Sequence, residues 1–435
     1  ALLTMSRPAT VPETPTAVET AAAVVPSPSP SPPPPTPTST PPPTDTPTPD
    51  PLIPTPTPVR LTRTPVDVED EWPVRVTPTP SPVVIAPPTV SGTATAPTVA
   101  PATVPPSPVG TAPPSPVAST ATPATAPLPG AVDVDAIWRG RYRWGIGVAG
   151  GSLANYDVAP LRLGWYLNWG ISPSPGGLMY GQMVRMYNGA LRQDLGTITA
   201  VAQANPGALW LIGNEPDVRW QDSTTPGAYA AVYHQVHTAI KAVDPTAVIA
   251  IGGISQPTPL RMRYLDAVLA SYRQQFGTEM PIDAWNIHNF ILREERGSWG
   301  VDIPPGMADN QGILYEIEDS GNLDHFRQQI VAFRRWMADR GYQNYPLIVS
   351  EYGIPMPVDY GFPADRVGGF LTGTFDYFLS AADPALGYPA DNYRLVQLWC
   401  WYSLSDANYN GHLFDPATGG MTAVGAAWAA YVGGR

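Results

Sequence analysis

Two glutamates end two short apolar runs: Glu215 in Leu209-Trp-Leu-Ile-Gly-Asn-Glu-Pro-Asp217 and, 136 positions later, Glu351 in Leu347-Ile-Val-Ser-Glu-Tyr-Gly353. Runs of this length bounded by turn residues read as strands buried on both faces. A carboxylate and an amide (Asn214) at the end of such a strand have no packing reason to be there. Two carboxyl groups facing one cleft suit the cleavage of a glycosidic acetal. At about 5–5.5 Å apart, one attacks the anomeric carbon while the other protonates the leaving oxygen. The acid has to keep its proton near neutrality, which burial and the like charge of its partner favour. The attacking carboxylate has to stay ionised, for which Tyr352, His288 or Arg185 are the candidate supporting donors.

The elements that would position these residues follow from periodicity. Strands are expected at 141–148, 161–169, 182–188, 209–214, 248–255, 282–290, 347–352 and 395–404. Helices are expected at 191–204, from Pro226 to Asp244, and at 260–276, 322–340, 365–381 and 421–431. Thr225 precedes Pro226, and Tyr229, Tyr233, Val236, Ile240 and Val243 then form one apolar stripe, an amphipathic helix with proline at its first position. Eight buried strands alternating with helices make an α/β fold of (β/α)8 TIM-barrel type, whose sites are built on the C-terminal face. An open doubly wound sheet would want a glycine-rich phosphate turn. The one candidate, Gly145-Ile-Gly-Val-Ala-Gly150, opens no convincing helix. The strand ends offer Trp169, Asn214, Glu215, His288, Asn289, Glu351, Tyr352, Trp399, Trp401 and Tyr402. By alternation Gln397, Trp399 and Trp401 share one face and Cys400 takes the other.

Gly-Asn-Glu-Pro after one apolar run and Ser-Glu-Tyr-Gly after a later one resemble the fourth- and seventh-strand motifs of glycoside hydrolase clan A, the retaining glycosidases on (β/α)8 barrels. The resemblance implies that Glu215 is the general acid/base and Glu351 the nucleophile. It further implies that Asn214 binds the sugar 2-hydroxyl and that Trp401 is the sugar platform at the cleavage point. Gly-Trp-Tyr-Leu-Asn-Trp169 and Gly-Asn-Glu-Pro-Asp217 are also similar to family 128, which acts on β-1,3-glucans. Ile-His-Asn-Phe290 departs from that family, where His-aromatic-Tyr is usual. Trp169, Arg185, His288, Asn289, Tyr352 and Trp399 complete the expected substrate-binding set. No cofactor is expected, and no metal-ligand spacing stands out.

Composition divides the chain at about residue 130. Of 57 prolines 38 fall in residues 1–130, but only one of 42 aromatics, Trp72, does. Such a segment cannot bury enough apolar surface to offset its ordering entropy. It reads as a disordered, Pro/Thr/Ser-rich stalk in front of a catalytic domain at 131–435, with the composition of an O-glycosylated spacer. One island, Val66–Arg75, is expected to be a charged patch within it. The charge of −12 leaves no basic stripe for nucleic acid. The expected partner is a polysaccharide or oligosaccharide, met outside the cell or at its surface, with attachment through the stalk. No run of 18 apolar residues spans a bilayer, and Ala1 is as readily a processed terminus as a boundary. The lone Cys400 reads as a core residue.

Some features carry blander readings. His234 and His237 are expected on a solvated helix face, and Arg293-Glu-Glu-Arg296 as an exposed salt-linked loop. The whole barrel also has a second reading, a non-catalytic carbohydrate-binding or adhesive head, which turnover of a β-glycoside panel would refute.

Overall fold

A computed structural model describes residues 132–149, 151–406 and 409–435. The stalk, the Val66–Arg75 island and Gly150 lie outside the described residues. Eight parallel strands are β1 (Trp144–Gly147), β2 (Trp165–Leu167), β3 (Met179–Val184), β4 (Leu209–Asn214), β5 (Val248–Gly253), β6 (Trp285–His288), β7 (Leu347–Tyr352) and β8 (Leu398–Trp401). They pair in the order β5-β4-β3-β2-β1-β8-β7-β6. Parallel bridges Ala250 to Ala284 and Ile254 to Ile287 join β5 to β6 and close the barrel.

Among the described residues, six strands are followed by an α-helix: α1 (Leu195–Ala204), α2 (Pro226–Val243), α3 (Pro259–Phe276), α4 (Leu323–Asp339), α5 (Ala364–Ser380) and α6 (Ala423–Gly433). Strict alternation fails after β1 and β2. The first connection makes only 3-10 turns at Leu153–Asn155 and Ala159–Leu161, and residues 168–178 are irregular. Pro160, Pro173 and Pro175 explain this, because each removes a backbone donor and fixes φ. Four of the six helices start where a side chain satisfies a free N–H group, α2 and α5 being the exceptions. Asp194 accepts from Thr197 N, Thr258 from Arg261 N, Asn322 from Asp324 N and Thr422 from Gly425 N.

Strand alternation sorts the core into two shells. Trp165, Leu167, Met183, Leu209, Leu211, Val248, Ala250, Ala284, Ile348, Leu398 and Cys400 fill the barrel. Trp144, Trp210, Ile212, Trp285, Val349, Trp399 and Trp401 belong to the shell between strands and helices. Gly145 belongs to this packing and not to a phosphate turn. A Cβ there would lie 2.6 Å from Nε1 of Trp165, the indole that plugs the barrel. His234 and His237 are half-buried rather than solvated: His234 stacks on Phe276 at 3.7 Å and His237 on Tyr233 at 5.8 Å. Glu294 is fully buried, so the Arg293–Arg296 run is not simply an exposed face.

Candidate active site

Glu215 follows β4 and Glu351 lies near the end of β7, on the C-terminal face of the barrel. His288, the last residue of β6, stands between them. Its Nδ1 is 2.9 Å from Glu215 Oε1 and its Nε2 is 3.4 Å from Glu351 Oε1. One oxygen of each carboxylate and one ring nitrogen of His288 all lie within 4.8 Å of one another. The Trp169 indole N–H donates to Glu351 Oε1 at 2.5 Å. These three side chains are also the one cluster of metal-ligating types among the described residues, but His288 Nδ1 is already engaged by Glu215.

The local backbone aims these groups. Gly213 has φ +103°, and Glu215 itself adopts φ +44°, a left-handed conformation that a glutamate holds only when its surroundings over-determine it. The Glu215 amide donates to Gly253 O at 2.9 Å. Gly253 gives His288 its place, since a Cβ there would lie 2.5 Å from the ring Cδ2. Trp169 is held in the left-handed region as well, at φ +59°. Gly147 leaves room for it, because a Cβ there would come 3.0 Å from the indole.

The site is dry. Glu215 and Glu351 are 6% and 5% exposed and His288 is fully buried. Burial, with the like charge of Glu215, pushes Glu351 up to about 7 against the pull of His288 and the Trp169 hydrogen bond. The raised value therefore falls on the carboxylate expected to stay ionised. For His288 burial works against the charged form, yet the Glu351 and Glu215 carboxylates outweigh it and raise its pKa.

Asn214 is buried beside Glu215, its backbone N–H donating to Asp222 Oδ2 at 2.8 Å. Its Oδ1 has no partner and is free to accept a hydroxyl. Arg185 does not touch either glutamate. It pairs with Asp222 at 2.7 Å, and its charge still acts on Glu351 from that distance.

Four expected substrate-binding residues face elsewhere. Trp399 and Trp401 lie in the helix-facing shell, 0% exposed, with Trp401 Nε1 bonded to Gly411 O and its ring edge-on to Tyr352 at 5.2 Å. Tyr352 packs among Phe326, Phe378 and Trp401. Asn289 donates to Phe326 O at the start of α4. The reason is register: Leu398 and Cys400 point into the barrel, so the tryptophans on alternate positions of β8 cannot. The aromatic wall is formed instead by half-buried Trp169 and Tyr402, 5.7 Å apart, with Phe290 and Tyr409 against Tyr402. Phe290 ends the expected strand 282–290 with nothing in its spacing to mark it as part of a wall, and Tyr409 is an isolated aromatic in an irregular segment.

A cavity of about 960 Å³ opens at the opposite end of the barrel, beside Arg141, Tyr142 and Met179. It contains none of this chemistry.

Residues 146–299 match the family model described as the glycosyl hydrolase catalytic core, a stretch that contains Glu215 and His288. The chain is a glycosidase built on a TIM barrel. No curated protein matches it. Solved structures that resemble it include a family 128 (subgroup II) endo-β-1,3-glucanase from Sorangium cellulosum, 17% identical, covering 67% of this chain and 98% of that one with a TM-score of 0.45. A subgroup II endo-β-1,3-glucanase from Pseudomonas viridiflava is likewise 17% identical, over 66% and 97% of the two chains, with a TM-score of 0.46. A curdlan-specific exo-β-1,3-glucanase of subgroup III from Blastomyces gilchristii is 17% identical over 66% and 97%, with a TM-score of 0.44.

Proposed function

We propose that the protein is a retaining glycosidase that cleaves β-linked bonds of a polysaccharide, a β-glucan, by double displacement. The observation that carries this reading is the spacing of the carboxylates, one oxygen of each within 4.8 Å of the other. That gap suits direct attack and is too narrow for the water that an inverting enzyme places between its carboxyl groups. Glu351 Oε2 attacks the anomeric carbon while Oε1 stays on the Trp169 N–H. Glu215 passes its proton to the departing oxygen, and a glycosyl ester to Glu351 forms. Glu215 then takes a proton from water, the hydroxide attacks the same carbon, and Glu351 leaves as carboxylate. In the productive form Glu351 is ionised and Glu215 protonated, and His288 spans the path between them.

The choice of β-glucan rests on the motif likeness of residues 164–169 and 213–217. Asn214 Oδ1 suits the sugar 2-hydroxyl, and Tyr402 with Trp169 supplies the apolar ring face. The composition of residues 1–130 supports a spacer that carries the catalytic domain at 131–435 away from a surface, outside the cell.

Product stereochemistry tests the reading. Hydrolysis of β-1,3-glucan followed by NMR should release the β-anomer first; α-anomer first would overturn it. Azide should rescue Glu215→Ala with a β-glycosyl azide, whereas rescue of a Glu351 variant should give the inverted azide. The opposite pattern would exchange the two roles.

A further inference from the structure

We propose that Arg261, with Asp217 and Glu294, is the positioning device for the general acid. The inference rests on Glu215 having that role. Arg261 lies in the first turn of α3 and is fully buried. All five of its N–H groups are used. Nε donates to Glu294 Oε1 at 2.8 Å, Nη1 to Asp217 Oδ2 and to Asp217 O at 3.1 Å, and Nη2 to Val301 O at 3.1 Å and Asp302 O at 2.7 Å.

One guanidinium thus grips two segments of the cleft rim. The first is the bend Glu215-Pro216-Asp217. Proline has no N–H, so Pro216 is held only through its carbonyl, which accepts from Thr224 N at 2.8 Å, and Asp217 supplies the first side-chain anchor after the acid. It does so at Arg261 and at the end of β5, where Ser255 N and Oγ donate to Asp217 Oδ2 at 3.1 and 3.0 Å. The second segment is the loop after β6. Glu294 accepts there from Thr258 Oγ1 at 2.6 Å and from Ile313 N at 2.8 Å.

A buried ion cluster is weak evidence for stability, because apolar side chains of equal volume often serve as well. A cluster two residues from a left-handed glutamate has a different use, which is to fix that conformation. Nothing in Arg261 touches a sugar or a reacting atom, and its effect passes through Asp217 to the orientation of the Glu215 carboxyl.

Leaving-group dependence separates positioning from mere scaffolding. A poor leaving group needs the acid's proton, and an activated one does not. Full-length Asp217→Asn and Arg261→Lys would be compared with Glu215→Ala on phenyl and 2,4-dinitrophenyl β-laminaribiosides, or on the same pair built on whichever disaccharide the wild type hydrolyses. Asp217→Asn keeps an acceptor for Ser255 and so holds the test should Arg261→Lys fail to fold. On the phenyl glycoside kcat/KM, which reports the first displacement, should fall about a hundredfold, and on the dinitrophenyl glycoside no more than about threefold. Equal losses on both substrates, with Glu215→Ala still showing the split, would overturn the positioning role alone. Equal losses in Glu215→Ala itself would overturn the acid assignment, and this inference with it.

Discussion

Burial keeps a proton on Glu351 up to about pH 7, and that has consequences in activity and in stability. The proposed attack needs the ionised form, so kcat/KM should rise with pH through about 7. In stability the sign is fixed by linkage. The folded value lies above the ordinary 4.5, so the folded chain binds this proton more tightly than the unfolded one. The resulting stabilisation is full below pH 4.5 and is lost as the pH rises through 7. His288, also raised, acts in the same direction. Melting temperature should therefore fall between pH 5 and 8, and Glu351→Gln should flatten the fall while lowering activity more than about a thousandfold.

At the scale of elements, the contacts of β5 with β6 and the register of β8 decide which side chains reach the cleft. Gly253→Ala would push a methyl group into the His288 ring. The expected loss in kcat is about a hundredfold, the cost of moving a catalytic neighbour by roughly an ångström, with kcat and melting temperature measured on the same preparation. On β8 the shell between strands and helices claims Trp401. Trp401→Ala should cost about 3–5 kcal/mol in denaturant unfolding, as for other large buried aromatics. Tyr402→Ala should instead raise KM and leave the unfolding midpoint nearly unchanged. A reversal of these two outcomes would return the platform to Trp401.

For the whole molecule, the described residues close a barrel, and the proposed spacer has no task in the chemistry. Deleting 1–130 should leave kcat/KM on soluble oligosaccharide within about twofold, measured beside the full chain; loss of folding would refute a spacer. The barrel was legible in the sequence because its strands are buried on both faces and appear as continuous apolar runs. Glu215 and Glu351 were legible because a carboxylate at the end of such a run serves no packing purpose. Strand existence, helix caps and the strand-end glutamates are local properties, set by backbone sterics, side-chain period and turn residues within a few positions of each other. Which face of β8 turns inward is not local. It depends on how neighbouring strands register around a closed barrel, so Trp401 packs against the helices while Tyr402 stands beside Trp169. Nor could any spacing in the chain reveal that Arg261 grips Asp217 and Glu294, or that burial loads its proton on Glu351. Those follow from desolvation and from contacts across 33 and 44 positions, and only the folded chain brings such groups together.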